Sequence, residues 1–417
     1  MVHFSLRTTL NYSGIPQFLV NRVNPVIGVT LMLELVLESI FWLGVLAATA
    51  SWLLYPLVLY LVSVFLSEDH GRFEQDPLAY PVVTVLVTVH NEEGVIRRKI
   101  ENTLSLDYPE DRFEILIVSD RSDDATEDIV REYEHLGVRL FRPLESCGKT
   151  DAQNQALPHT RGTIIQFTDA ETLLATDFLK ETCKKFSDPA VGCVAGELHF
   201  LHLGKGVSSS QNLYWRFELW LRSLESSLGI LTAVPGASMA VRRDFLREMD
   251  VALGEDDIIP LDIICQGGRI VQSKALATDV MPCTLAGELN NRIRLTTRAW
   301  QATMSRKSLL NPLSFPGVAL GLMCHRILRW MTPFFLLSIY FSSLALGAMG
   351  KSSFLSICVI QTFLYCFAAI GWLGEVGSIR RLPLCKEVFT FMLANTGFFI
   401  GIIKSLKGHK ITQYKSI

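Results

Sequence analysis

Net charge is the first thing this chain has little of. Thirty-nine basic and 41 acidic side chains leave a formal charge of −2 over 417 residues. So even a balance offers no field for a nucleic-acid backbone, and no nucleic-acid partner is expected. Paired cysteines are missing too. The nine cysteines show no paired spacing and no Cys-x-x-Cys, so they read as reduced, mostly buried small residues and not as disulfides or metal ligands. No internal repeat or low-complexity tract is present.

Several stretches lack charge altogether. Phe41 to Leu66 is almost free of it over more than the roughly 20 residues that cross a bilayer. Glu38 flanks it on one side and Glu68, Asp69 and Arg72 on the other. It reads as one transmembrane helix, and its length and its distance from the amino terminus argue against a cleaved secretory signal. Val26 to Leu37, with Glu34, is open to reading as a helix lying on the membrane surface. Three further apolar runs follow at Met331 to Met349, Phe354 to Leu373 and Val388 to Ile403. The domain plan is therefore 1–79 with one span at 41–66, a soluble block at 80–307, an interfacial connection at 308–330 ending on Trp330, and a membrane region at 331–417 with spans at 331–349, 354–373 and 388–403. The spans hold no acids, which weighs against a transporter.

Arg326 and Arg329, and the loop with Arg380, Arg381 and Lys386, put the soluble block in the cytosol by the positive-inside rule, making a multi-pass protein of the lipid bilayer. Lys404, Lys407, Lys410 and Lys415 spoil the count, since three crossings would leave that tail outside. Either the last run does not cross or the rule fails.

Inside the soluble block, short β-branched runs alternate with amphipathic stretches, the α/β pattern of a mostly parallel sheet covered by helices. Strands are expected at Val82 to Val89, Phe113 to Ser119, Val138 to Phe141 and Ile164 to Phe167. Helices are expected at Glu92 to Leu106, Ala125 to Leu136 and from Asp151. Ligands of such sheets sit beyond the carboxyl ends of the strands. The polar clusters fall there: His90-Asn91-Glu92, the run Asp120 to Asp124, then Asp169 and Glu171. Two acids at i and i+2 past a buried strand suit a hard divalent cation through oxygen ligands, and they equally suit helix capping.

These residues resemble the inverting family 2 glycosyltransferases of GT-A fold, in the membrane-bound branch with cellulose, chitin and hyaluronan synthases. The resemblance runs from Pro81 to Arg306. It rests on the strand and turn from Val82 to Glu93, on Val118-Ser-Asp-Arg-Ser-Asp-Asp-Ala-Thr126, on Gly148-Lys149 followed by Asn154, on Asp169-Ala-Glu171 where the family has Asp-x-Asp, on Gly254-Glu-Asp-Asp257, and on Asn291-Arg-Ile-Arg-Leu295 where processive members have Gln-x-x-Arg-Trp. Six ordered motifs over some two hundred residues make it specific.

The resemblance implies a GT-A domain inserted between membrane helices. Glu92, Asp120, Lys149, Asp169, Arg292 and Arg294 would bind a nucleotide-sugar donor, and Asp169 and Glu171 would hold Mg2+ or Mn2+. Asp256 with Glu255 would supply catalysis, Asp256 as the general base, with the register open by one residue among three consecutive acids. Trp215, Gly236 and Trp300 would face a glycan or lipid-linked acceptor, although the helix bearing Trp215 equally reads as aromatic core. Leu295 replaces the tryptophan that would stack on an acceptor sugar, which leaves single transfer and polymerisation both open. Two other readings remain: a polyprenyl-phosphate glycosyltransferase, which needs no hydroxyl base, and a non-catalytic nucleotide-sensing membrane protein.

Overall fold

The computed structural model describes residues 17–66, 80–144, 148–201, 208–280, 285–376 and 383–409. Packing divides the chain into two compact units, Met1–Leu46 with Phe335–Phe363 and Ala47–Phe334 with Leu364–Ile417. Glu68, Asp69, Arg72, Arg380, Arg381, Lys410 and Lys415, and the side chain of Lys386, lie outside what is described.

The second unit is built on one eight-stranded sheet. Its strands are β1 Val83–Val89, β2 Phe113–Ser119, β3 Val138–Phe141, β4 Ile164–Asp169, β5 Leu173–Leu174, β6 Val191–Leu201, β7 Met239–Arg242 and β8 Arg269–Val280, in the order β3-β2-β1-β4-β7-β6-β8-β5. Strands β1 to β4 are parallel, whereas β7 runs antiparallel to both β4 and β6. The sheet is thus all parallel in its first half and mixed in its second, where β6 and β8 are again parallel. Along β1 the side chains alternate between two buried layers: Val83, Val85, Val87 and Val89 enter one core, and Leu86 enters the other with Leu116 and Phe167. A strand buried on both faces has no polar side, which is why these runs are continuously apolar.

The first apolar helix starts earlier than the charge pattern suggests. Gln17–Thr49 is one helix, so Val26 to Leu37 is its front part and not a separate surface helix. Within the first unit, Glu34 and Glu38 both pair with Lys351, which offsets the cost of two acids near apolar surface. In the second unit the chain passes through a π-helical turn at Ala50–Leu54 into Tyr55–Leu66. There the Tyr55 hydroxyl donates to Glu225 Oε1 at 2.7 Å, and His325 sits 2.7 Å from Glu225 and 3.0 Å from Glu218, all buried. Arg329 Nη1 donates to the same Glu218 at 2.8 Å. A buried charge is tolerated when it is paired and hydrogen-bonded, and this network fastens the helix to Ser208–Ser227.

Among the described residues three helices are long and apolar enough to cross a membrane, Gly28–Phe65, Ser352–Gly374 and Glu387–Leu406, or four if Pro316–Trp330 and Thr332–Ala348 count as one broken span. Trp330 is buried on Trp300, Phe398 and Ile402, so it is not the headgroup-level anchor its position in the sequence suggests. The last helix, Pro383–Leu406, lies along Leu285–Ser305 of the sheet-bearing unit in the same direction. At Gly397 and Gly401 an added Cβ would come within 2.8 Å of Arg292 Cβ and of Thr296 Cβ. Two glycines four residues apart let the helix axes approach this closely. Thr297 Oγ1 then donates to the Gly401 carbonyl at 3.1 Å, and Gln301 Nε2 donates to the His409 carbonyl at 2.8 Å.

Candidate active site

The parallel strands end in loops that cross-link one another. After β1, His90 Nδ1 lies 2.8 Å from the Asp120 carbonyl, the Asn91 amide donates to Ser122 Oγ at 3.0 Å, and the Glu92 amide donates to Thr126 Oγ1 at 2.8 Å. In return the Asp123 amide donates to Asn91 Oδ1 at 2.9 Å. Asn91 (φ 58°) and Arg121 (φ 56°) occupy the left-handed region, which an arginine enters only when its surroundings over-determine it. The loops thereby fix Glu92 and Asp120 in one crevice. Asp120 is buried, and its Oδ1 has no partner among the described residues. A buried acceptor left unmatched calls for a donor from elsewhere.

Asp169 closes β4, opposite Thr88 of β1. Lys149 opens the helix Lys149–Ala156 behind Gly148, whose φ of 96° no other residue type adopts readily. The Lys149 ammonium lies 2.6 Å from Asp169 Oδ1 and 2.5 Å from Glu255 Oε1. One cation therefore joins the acid pair to the acidic helix start Glu255–Cys265. Gly236, on the turn before β7, presses on that start: a Cβ there would stand 3.1 Å from Asp256 Cβ and 3.4 Å from Glu255 Oε1. The three consecutive acids have different fates. Glu255 is buried on Lys149, Asp257 faces Arg326 at 3.8 Å, and Asp256 is only half-buried.

Three expected site residues are engaged elsewhere. Arg292 Nε pairs with Glu288 at 2.6 Å, its guanidinium rests on the Tyr214 ring, and Gly397 covers its Cβ. It serves the packing of the last helix and not the crevice. Trp300 packs on Trp330 with ring centroids 6.1 Å apart, inside an apolar cluster, and so offers no platform to an acceptor. Trp215 is likewise taken up: its Nε1 donates to the Leu198 carbonyl at 2.5 Å, with Phe200 at its edge and Arg222 over its face. Arg294 does look toward the acids and pulls on Asp256 electrostatically.

Sequence reasoning missed Arg298. It is one helical turn beyond Arg294, on the same face, and its guanidinium carbon would meet a Cβ at Gly254 at 3.1 Å. Its Nε is buried without a partner among the described residues. The signal that could have found it is the four-residue spacing from Arg294.

The family profile described as glycosyltransferase like family 2 matches residues 81–302, more than half of the chain. The chain belongs to the family 2 glycosyltransferases. It is 30% identical over 195 residues to a beta-monoglucosyldiacylglycerol synthase of Trichormus variabilis, covering 44% of this chain and 40% of that one. It is 27% identical over 224 residues to the probable glycosyltransferase YdaM of Bacillus subtilis, with coverage of 48% and 50%. The figures for a poly-beta-1,6-N-acetyl-D-glucosamine synthase of Staphylococcus epidermidis are 24% over 257 residues, 57% and 61%. The match thus spans about half the length of these curated relatives. Among solved structures, the mannosyltransferase PcManGT from Pyrobaculum calidifontis, in complex with GDP-Man and Mn2+, shares the fold with a TM-score of 0.68 and 24% identity, over 90% of this chain and 100% of that one. The sheet is that of a GT-A transferase.

In this glycosyltransferase the carboxylates are tuned apart. Burial alone would raise Glu255, but Lys149 and then Arg298 outweigh it and hold its pKa down to about 2. Asp256 moves the other way, raised by burial and by the charge of Glu255. Asp257 is pushed up to about 7 by burial and by Asp256, against the pull of Arg326. Glu92 is also pushed up to about 7, by burial first and then by Glu171 and Asp169. Three carboxylates whose mutual repulsion keeps a proton on one of them suit a cation. Among the described residues no three His, Cys, Asp or Glu are grouped closely enough to hold an ion by themselves. A metal at Asp169 and Glu171 would complete its shell with ligand and water oxygens, as Mg2+ commonly does on diphosphates.

Proposed function

We propose that this enzyme moves a sugar, with inversion, from a uridine diphosphate sugar to a hydroxyl of a glycan or lipid-linked acceptor at the cytosolic face of a membrane, using Mg2+ or Mn2+. The observation that carries this reading is the single Lys149 ammonium shared by Asp169 and Glu255, which joins a diphosphate corner to a helix start bearing a half-buried acid. Asp120 Oδ1 would accept a base N–H of the donor, and Glu92 the ribose hydroxyls. Lys149 and Arg298 put positive charge where the departing diphosphate gains negative charge. Asp169 and Glu171 would hold the metal, which when bound supplies further neutralisation of that leaving group. Asp256 would take the acceptor proton: its pKa is raised, and it is the one of the three acids left half-exposed, while Glu255 and Asp257 are engaged by Lys149 and Arg326. Gly236 lets its turn pack closely against Asp256, which any side chain at that position would crowd.

The last helix supports the cytosolic reading: its carboxyl end, with Lys404 and Lys407, runs beside Gln301 of the transferase domain, so this basic stretch would share the domain's side, as the positive-inside rule expects of a cytosolic face. Relatives named for a glucosyldiacylglycerol and for a poly-N-acetylglucosamine support a glycolipid or polysaccharide product. Leu295 is exposed where a stacking ring is expected and Trp300 is sequestered, which favours one or a few additions. Membranes incubated with a panel of labelled UDP-sugars and GDP-mannose are expected to transfer one UDP-sugar, to stop with EDTA, to recover with Mn2+, and to yield short products. A long polymer that persists after Trp300→Ala and Trp215→Ala defeats the product-length part; turnover undiminished in EDTA defeats the metal part.

A pH signature accompanies the acid corner. Glu92 keeps its proton below about 7, so cation binding should strengthen as pH rises through that value and should release a proton near it. Calorimetric titration of Mn2+ near pH 7, in two buffers of different ionisation heat, reads the release directly. Equal heats in both buffers contradict a cation at Asp169 and Glu171 that is felt by Glu92.

A further inference from the structure

Helix Ile96–Leu104 buries Ile96, Lys99, Ile100 and Thr103, the i, i+3, i+4, i+7 face of an amphipathic helix, with a lysine in a core position. Lys99 is 0% exposed. Burial drives its pKa down to about 7, against the pull of Asp169 and Asp279. A lysine without a carboxylate in contact is an expensive core residue. Its ammonium donates to Thr168 Oγ1 at 2.8 Å and to the Thr172 carbonyl at 2.5 Å. Those two residues bracket Asp169-Ala170-Glu171. One turn further along the same helix, Asn102 exchanges two hydrogen bonds of 2.9 Å with the backbone of Leu174, and Thr172 Oγ1 donates to Asp279 Oδ2 at 3.2 Å. The turn that carries the acid pair is held from beneath by a helix whose outer end belongs to the nucleotide loop.

We propose that Lys99 is a positioning residue for the cation corner: its buried ammonium clamps both flanks of the Asp169–Glu171 turn, so that the two carboxylates are pre-set for a divalent cation on the donor diphosphate. The inference rests on the reading of Asp169 and Glu171 as cation ligands. Partners behind metal ligands typically set affinity by about 10–100-fold. An ammonium serves better than an apolar side chain because it can donate simultaneously to a hydroxyl and a carbonyl pointing in different directions.

The test uses the full chain in detergent, with UDP and Mn2+ as probes. UDP affinity with and without Mn2+ is measured for the parent, for Lys99→Met and for Thr168→Val, alongside the thermal midpoint of each. In Lys99→Met the Mn2+-dependent gain in UDP affinity should fall by about 10–100-fold, UDP binding in EDTA should stay as in the parent, and the midpoint should hold or rise, because replacing a buried charge by an apolar side chain is often neutral or stabilising. Thr168→Val should move the same gain in the same direction by less. A plain scaffolding role predicts something else: a lowered midpoint with binding lost in EDTA and Mn2+ alike, and that result overturns the proposal. So does an unchanged Mn2+-dependent gain in Lys99→Met. If the parent itself shows no such gain, the cation reading of Asp169 and Glu171 fails and takes this proposal with it.

Discussion

Asp256→Asn should leave donor binding almost unchanged and cut sugar transfer by about 10²–10⁴-fold, the range typical of removing a positioned general base. The substitution keeps the shape of the side chain and the helix start around it, where the Asp257 and Ile258 amides donate to the Gly254 carbonyl at 3.0 and 2.9 Å. What disappears is the capacity to accept a proton. Glu255 cannot stand in, since a pKa near 2 makes it a poor base and Lys149 occupies its oxygen. Asp257 is directed at Arg326. Equilibrium dialysis of the donor and single-turnover transfer, measured on one preparation, separate the two effects. An active Asp256→Asn beside an inactive Asp257→Asn moves the base one residue along.

The first half of the sheet was legible because its strands are short, parallel and buried on both faces. β2 Phe113–Ser119 and β3 Val138–Phe141 coincide with the apolar runs that announce them, and β1 and β4 differ by one and two residues. The later strands were not read. β6 and β8 contain Gly192, Gly196, Glu197, Lys274 and Asp279, and they pair across long sequence separations with register shifts, so no local alternation marks them.

In the site, the acids after each strand were visible because a carboxylate following an apolar run is conspicuous. The arginines were assigned by motif position, and helix geometry separates them. Arg294 and Arg298 share one face toward Asp256, whereas Arg292 belongs with Glu288 on the face that meets the last helix. Lys99 left no signal, because a lysine in an amphipathic stretch ordinarily reads as solvated and only the packing shows it turned inward. The sense of the last helix was equally hidden: Gly397 and Gly401 look like unremarkable members of an apolar run until Arg292 and Thr296 are found against them.

Asp169→Asn should lower turnover by about 10²–10³-fold, because a metal on a leaving diphosphate is worth several kcal/mol in the transition state and each 1.36 kcal/mol is a factor of ten. The loss has a distinct form. Removing the carboxylate takes away one cation ligand and one of the two anions that hold Lys149, yet the pair of Lys149 with Glu255 survives at the helix start. The acceptor side therefore stays assembled while the diphosphate corner loses its ligand, and the half-saturating Mn2+ concentration should rise along with the fall in turnover. Raising Mn2+ should then restore part of the rate in Asp169→Asn and none of it in Asp256→Asn. This contrast assigns one acid to the leaving group and the other to the nucleophile, which the rates alone cannot do. Parent-level activity of purified Asp169→Asn in limiting Mn2+ would remove Asp169 from the ligand set and leave its contact with Lys149 as its role.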